Sequence, residues 1–198
     1  MRIAIHQPEH FPYMGFFQKM QSVDLFVILD DVQYTKGGWQ NRNKFLNKNN
    51  VEEFFTVQVE KKANKKLIKD VNVIDGPWRR KVIKKIQQNF GVDLSCVYDK
   101  DKLLEMNLCS IEWGRDKLNI DTEMIMSSDL NIETTKTQRI LDICKSVGAS
   151  EYVCGQGCID PKYGAYLDMS LFANMKLTVH KPKLENYYSV IYNVSEAK

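Results

Sequence analysis

Apolar and polar positions along this chain alternate in blocks that predict an α/β order. Residues 2–6 predict a first strand around the apolar Ile3-Ala4-Ile5, and the chain turns sharply polar at His6-Gln7-Pro8-Glu9-His10. After two prolines, Tyr13 to about Ser22 carries helical spacing. Leu25-Phe26-Val27-Ile28-Leu29 follows, apolar on both faces, and ends in Asp30-Asp31-Val32-Gln33. A run without alternation is the mark of a strand buried in a parallel sheet. Strand, helix and parallel strand within so few residues make a βαβ unit.

The middle of the chain reads differently. Gln33 to Asn50 is polar, contains Gly37-Gly38, and is expected to be a loop with a turn at Asn49-Asn50. Residues 54–59 are rich in aromatic and β-branched side chains and predict a strand. Five lysines between 60 and 70 predict a solvated loop or helix face. Gly76-Pro77 opens a helix with Trp78, Val82, Ile83, Ile86 and Phe90 at helical spacing, stopped by Gly91. A second helix is expected over about 102–118, with Leu104, Leu108 and Ile111 on its inner face. Residues 124–126 predict a short strand ending in Ser127-Ser128. Thr135 and Gln138 have the spacing of a capping box, opening a helix that runs to Gly148. Tyr152-Val153-Cys154 and Leu177 to His180 read as strands, and 163–174 as a helix. Beyond Pro182 no clean period remains.

The expected fold is therefore α/β, a mainly parallel, Rossmann-like sheet flanked by helices, with a helical insertion in the middle. A chain of 198 residues is expected to form a single domain, with 60–120 set off as a helical subdomain.

Composition narrows the class. The chain is 43% hydrophobic and 27% charged, with a net charge of +3. That balance permits an anionic small molecule and argues against bulk nucleic-acid binding. No apolar run approaches the roughly 18 residues of a membrane span, and the N-terminus lacks a signal-peptide pattern. Five scattered cysteines suit reduced thiols and a cytoplasmic location. Cys154 and Cys158 have a metal-like spacing, but no second pair or nearby His completes four ligands, so no metal site is expected. The oligomeric state is not readable.

Four predicted strand ends carry polar residues: His6-Gln7, Asp30-Asp31, Ser127-Ser128 and Gly155-Gln156-Gly157. In open α/β sheets, ligands bind beyond the carboxyl ends of the strands. His6 has the chemistry of a general base, and a carboxylate beside it would raise its proton affinity. Asp30 and Asp31 point to opposite sides, one to cap and the other to bind a cation, a sugar hydroxyl or an amine. Behind the two glycines stands Trp39-Gln40-Asn41-Arg42-Asn43. There Arg42 offers a planar fork for phosphate or carboxylate, the amides suit sugar hydroxyls, and Trp39 can stack on a ring. Gly155 and Gly157 would let backbone N–H groups approach a phosphate. Cys154 is read as a small packed thiol.

These clusters resemble the WbqC-like family of bacterial proteins. The resemblance is carried by Ile5-His6-Gln7-Pro8, by Pro12-Tyr13-Met14-Gly15-Phe16-Phe17, by Leu29-Asp30-Asp31-Val32-Gln33 and by Trp39-Gln40-Asn41-Arg42-Asn43. Trp78-Arg79-Arg80-Lys81, Tyr152 to Gly157 and Tyr166-Leu167-Asp168 add to it, so that it covers about 2–175. The chain departs from the pattern where the family has Ser-Gly-x-Gly-Gly and this sequence has Cys154-Gly155-Gln156-Gly157-Cys158. The family's C-terminal segment is not recognisable after Pro182. The resemblance implies a role in O-antigen or other surface-polysaccharide synthesis. The implied chemistry is acyl or aminoacyl transfer that forms an amide on a nucleotide-linked amino sugar. His6 would be the general base, with Asp30 or Asp31 orienting it or binding the amine. Gln7, Tyr13, Trp39, Gln40, Asn41, Arg42, Asn43, Gly155, Gln156 and Gly157 would bind substrate.

Two alternatives stay open. The opening of the chain also resembles, at the level of fold, the HIGH-type nucleotidyl transferases and pantothenate synthetase, though the histidines expected near Tyr13 and Phe16 are absent. That reading brings in Mg-ATP. An activated aminoacyl donor, an aminoacyl-tRNA among them, fits the first reading. A non-catalytic protein that binds a nucleotide sugar or a pathway enzyme is the other alternative.

Overall fold

The structure, a computed structural model, describes residues 1–160, 162 and 167–196. The chain forms two compact units and passes back and forth between them. The first comprises Met1–Gln7, Gln18–Leu29 and Asp121–Lys183. The second comprises Pro8–Phe17, Asp30–Ile120 and Leu184–Lys198.

The first unit is a five-stranded parallel sheet. Its strands are β1 (Arg2–His6), β2 (Leu25–Ile28), β5 (Glu123–Met126), β6 (Glu151–Gly155) and β7 (Lys176–His180), in the order β5-β2-β1-β6-β7. Ile3 pairs with Leu25 and His6 with Ile28, so the predicted βαβ unit is present. The helix between these strands is α1 (Met14–Gln21). β1, at the centre, is flanked on both sides, which explains why Ile3, Ala4 and Ile5 are all buried and none needs to be polar. Ile3, Ile5, Leu25 and Val27 pack on one face against Ile140, Leu141, Ile143 and Cys144 of α4 (Lys136–Ser146). The alternate residues Ala4, His6, Phe26 and Ile28 take the other face. There Lys19 of α1 lies over the Phe26 ring at 5.8 Å.

Two local expectations fail here. Thr135 is the N-cap residue of α4, but its side chain makes no capping bond. Gln138 instead donates to Asp142 Oδ1 one turn on, at 2.7 Å. Of the helix expected over 163–174, residues 163–166 lie outside the described residues, and Met169–Phe172 is a single 3-10 turn whose cap is Asp168.

The second unit holds the insertion, which carries two helices, as expected, together with a β-hairpin that precedes it in the chain. Strand β3 (Arg42–Leu46) pairs antiparallel with β4 (Glu52–Thr56) through a turn at Asn47–Asn50. The pattern placed β3 in a loop because its inward positions are Asn43 and Phe45, so only one of them is apolar. β4 also begins and ends earlier than the predicted 54–59. Phe45 and Phe55 stack at 5.2 Å across the hairpin. Helix α2 (Trp78–Phe90) buries Trp78, Val82 and Ile86 and ends at Gly91, left-handed at φ 68° with its N–H bonded to Gln87 O. Helix α3 (Leu103–Leu118) turns a different face inward from the one predicted. Leu103, Met106, Asn107, Ser110, Ile111 and Gly114 are buried, while Leu104 and Leu108 are only half-buried. Two polar residues and a glycine in the buried stripe hid it from a hydrophobic count. The stretch after Pro182 contains a helix, α5 (Val190–Glu196), whose Val190 and Ile191 are fully buried. Val190 N donates to Pro12 O and Ser189 N to Lys44 O.

Candidate active site

In a parallel sheet every carboxyl end lies at the same edge. In the first unit that edge carries His6, Ser127, Ser128, Gly155, Gln156 and His180. Asp30 and Asp31 follow β2 by two and three residues and belong to the second unit.

His6 is half-buried, and its Nδ1 lies 2.9 Å from Gln7 O. A carbonyl only accepts, so Nδ1 carries the hydrogen and Nε2 holds the lone pair. Burial, with the Lys19 ammonium second, lowers the His6 pKa to about 3, against a smaller upward pull from the Gln7 carbonyl. This corrects the expectation that a carboxylate would raise its proton affinity. The imidazole is neutral throughout the physiological range.

Lys19 was not singled out by the sequence reading. It is 4% exposed, in the first unit with His6. The signal was present: Lys19 lies three residues after buried Phe16 and next to buried Met20, on the apolar side of α1. Lys19 also acts on Cys154. Hydrogen bonding to the neighbouring Cys158 thiol, then burial, raise the Cys154 pKa, and Lys19 opposes them. The Cys154 thiol therefore stays protonated, as a packed thiol should. Gly155 has an ordinary backbone, and a Cβ placed on it would meet nothing within 4 Å. Gln156–Cys158 forms a 3-10 turn that closes the strand end.

The second unit contains the remaining predicted residues. Asp30 is buried, with its carbonyl accepting from Lys69 N, and Asp31 is half-buried. Tyr13 pairs with Ser189 and lies 6.0 Å from the Tyr187 ring. Burial, then Glu9 and Tyr187, raises its phenol to about 12. Trp39 is exposed at 44%. The three amides of the Trp39–Asn43 run are buried and bonded into the fold. Gln40 Oε1 accepts from Thr35 N at 2.8 Å, Asn41 Nδ2 donates to Val57 O at 2.9 Å, and Asn43 Nδ2 donates to Phe11 O at 2.8 Å. Asn41 Oδ1 is buried without a hydrogen-bond partner among the described residues. Arg42 is on a strand, not a glycine-flanked loop. Its guanidinium lies 5.2 Å from the Phe54 ring, and its buried Nε has no partner among the described residues.

A buried polar network packs against this run, and only its first member, the unassigned His10, stands out in the sequence. His10 is fully buried; Nδ1 lies 3.3 Å from Asn107 Oδ1, and Nε2 lies 2.9 Å from the Tyr98 hydroxyl. Burial lowers the His10 pKa to about 3, with Asn107 opposing. Asn107 Nδ2 donates to Gln40 O at 2.7 Å and Pro8 O at 3.2 Å. Phe11 is held at φ 43°, a conformation rare for a bulky residue. Ser110 Oγ accepts its N–H and Asn43 binds its C=O, so both backbone groups are satisfied by side chains. Arg79 donates to Tyr98 O and Lys100 O at 2.5 and 2.8 Å. Asn107, Ser110, Asn43 and Tyr98 thus hold the Pro8–Pro12 loop in shape, with Arg79 bracing the Tyr98 backbone.

Among the described residues, no group of three or more His, Cys, Asp or Glu side chains is arranged to hold a metal ion. None of their helices is long and apolar enough to cross a membrane. The five cysteines are free thiols.

Comparison with known proteins places these features. An uncharacterised protein of Mycobacterium tuberculosis, Rv1507c, is 27% identical over 191 residues, covering 90% of this chain and 80% of that protein. No solved structure matches. The model of the WbqC-like protein family matches residues 7–193, taking in the C-terminal stretch that the sequence reading left out. The chain belongs to the WbqC-like protein family.

Proposed function

We propose that this protein is a cytoplasmic enzyme of surface-polysaccharide synthesis that forms an amide on the amine of a nucleotide-linked amino sugar. The amine nitrogen attacks the carbonyl carbon of an acyl or aminoacyl donor. The bond from that carbon to the leaving group breaks, and the proton from nitrogen passes to His6 Nε2 and then to the leaving group. The observation that supports this reading is the His6 imidazole at the carboxyl end of the central strand. Gln7 fixes its tautomer and Lys19 helps keep it neutral. The neutral imidazole presents the Nε2 lone pair, and because a pKa of about 3 makes it a weak base, the proton passes through it to the leaving group without resting there. The lysine favours negative charge nearby, as develops on the carbonyl oxygen during attack.

The test incubates the purified protein with a uridine-diphosphate amino sugar and, in turn, an acyl thioester, an amino acid with Mg-ATP, and an aminoacyl-tRNA. Mass spectrometry is expected to find the intact nucleotide sugar heavier by the mass of the parent carboxylic or amino acid less one water. Release of pyrophosphate from ATP with no amide formed would support nucleotidyl transfer instead.

A further inference from the structure

We propose that the second unit carries an anion site for the phosphates of a nucleoside diphosphate, in the cleft bounded by Tyr34, Lys36, Lys61 and Lys62. The cleft encloses about 330 Å³, within the range of small-ligand pockets. Lys36, Lys61 and Lys62 are exposed. The acidic lining residue, Glu60, is already engaged: Lys66 Nζ lies 2.8 Å from each of its oxygens, and Asn72 N donates to it at 2.7 Å. The three lysines therefore set the charge of the cleft.

Tyr34 supplies the independent observation. It is only 2% exposed, and it lines the cleft. Its backbone N–H is bonded to Lys66 O at 3.0 Å, but its hydroxyl makes no hydrogen bond among the described residues. Burial raises its pKa, with Arg42 opposing, so the phenol is protonated and available as a donor. Ammonium groups only donate, and this phenol has a hydrogen to give. Phosphate oxygens only accept, and charge-assisted bonds to them are the strong ones. The cleft is also pre-shaped. Gln33 Nε2 donates to Asn64 O at 2.6 Å, and Tyr34 N to Lys66 O, so two bonds tie the 33–34 segment to the lysine-bearing turn. Lys62 sits at φ 63°, a conformation unusual for lysine. The choice of a nucleoside diphosphate as ligand rests on the nucleotide-sugar reading above; the anion site does not.

Calorimetry of the full chain with inorganic pyrophosphate, with uridine diphosphate and with free glucosamine tests this, at about 50 and about 200 mM salt. Both phosphates are expected to bind, more weakly at the higher salt, and glucosamine is not. The double variant Lys61→Ala/Lys62→Ala should weaken binding about tenfold or more and flatten the salt dependence. Tyr34→Phe removes one oxygen and should weaken binding about tenfold with an unchanged melting temperature. If neither phosphate binds at millimolar concentration, or if both variants bind as tightly as wild type, the site is refuted. Amide formation with binding unchanged in both variants would remove the cleft and leave the transfer reading standing. Phosphate binding lost in the variants, with no amide formed by wild type, would do the reverse.

Discussion

Replacing Gly114 by alanine probes how tightly the interior of the second unit is packed. Gly114 lies in the middle of α3, where alanine is normally better than glycine by about 1 kcal/mol. Here a Cβ would lie 2.4 Å from Phe17 Cζ, 2.8 Å from Cε1 and 3.1 Å from Cε2. Carbon atoms in contact rest at roughly 3.5–4.0 Å, so the ring must retreat by about 1 Å. It has nowhere to go, being 1% exposed and packed edge-on against Phe16 at 5.3 Å. Overpacking of this kind costs about 1–3 kcal/mol, and with three ring atoms inside contact the upper end applies. Subtracting the helix gain leaves a net loss of about 1–2 kcal/mol, read as a lower urea midpoint at constant m-value. Phe17→Leu alone should cost about 1–2 kcal/mol through the space it leaves. In combination the two should cost clearly less than their sum, because the leucine vacates the space the methyl needs. A Gly114→Ala protein more stable than wild type would refute the packing argument.

The other expectations concern the polar interior and the binding residues. Buried His10 should make stability pH-dependent. Its folded pKa of about 3 lies below the ordinary 6.5 of histidine, so the unfolded state binds more protons between those values. Its contribution should be complete above about pH 6.5 and be lost as pH falls toward 3; a His10→Gln protein with an unaltered acid transition would contradict this. Ser110→Ala leaves the Phe11 N–H buried without its acceptor and should cost about 1–3 kcal/mol in chemical denaturation; a change within error would show that the bond contributes nothing. Arg42→Lys should keep the melting temperature and weaken nucleotide-sugar binding about ten- to a hundredfold in calorimetry, since lysine lacks the two-point geometry; equal affinity would make Arg42 structural. Gly155→Ala should fold as wild type, because its Cβ meets nothing, and any loss of ligand affinity would then report close approach to that backbone.

Much of the fold was legible because burial leaves a simple trace. The strands of the sheet contribute uninterrupted apolar runs or short β-rich segments, and the helix at Trp78–Phe90 is bracketed by Pro77 and Gly91. What escaped was the second unit's polar interior. β3 turns Asn43 inward, α3 turns Asn107, Ser110 and Gly114 inward, and the Pro8–Pro12 loop buries His10. Polar residues count as surface in any hydrophobic pattern, so an element whose buried face is hydrogen-bonded rather than greasy reads as a loop or as rotated. The same cause explains the amides of the Trp39–Asn43 run, which looked like ligand readers and are bonded to backbone. α5 is too short for a period to show. Lys19 is the opposite case: its place on the apolar side of α1 was visible, but only the structure puts its charge beside His6.

The central claim is that His6 accepts the proton of the attacking amine, and the ratio of amide-forming rates for wild type and His6→Ala tests it most directly. The two proteins would be compared by mass spectrometry with the same nucleotide amino sugar and donor, after their melting temperatures had been matched. Loss of a general base typically costs on the order of a hundredfold or more. The account predicts at least that loss. It also predicts a wild-type rate with no acidic limb near pH 6.5, because the imidazole stays neutral down to about 3. A His6→Ala enzyme within a few-fold of wild type, or an acidic limb near pH 6.5 that disappears in the variant, would contradict it.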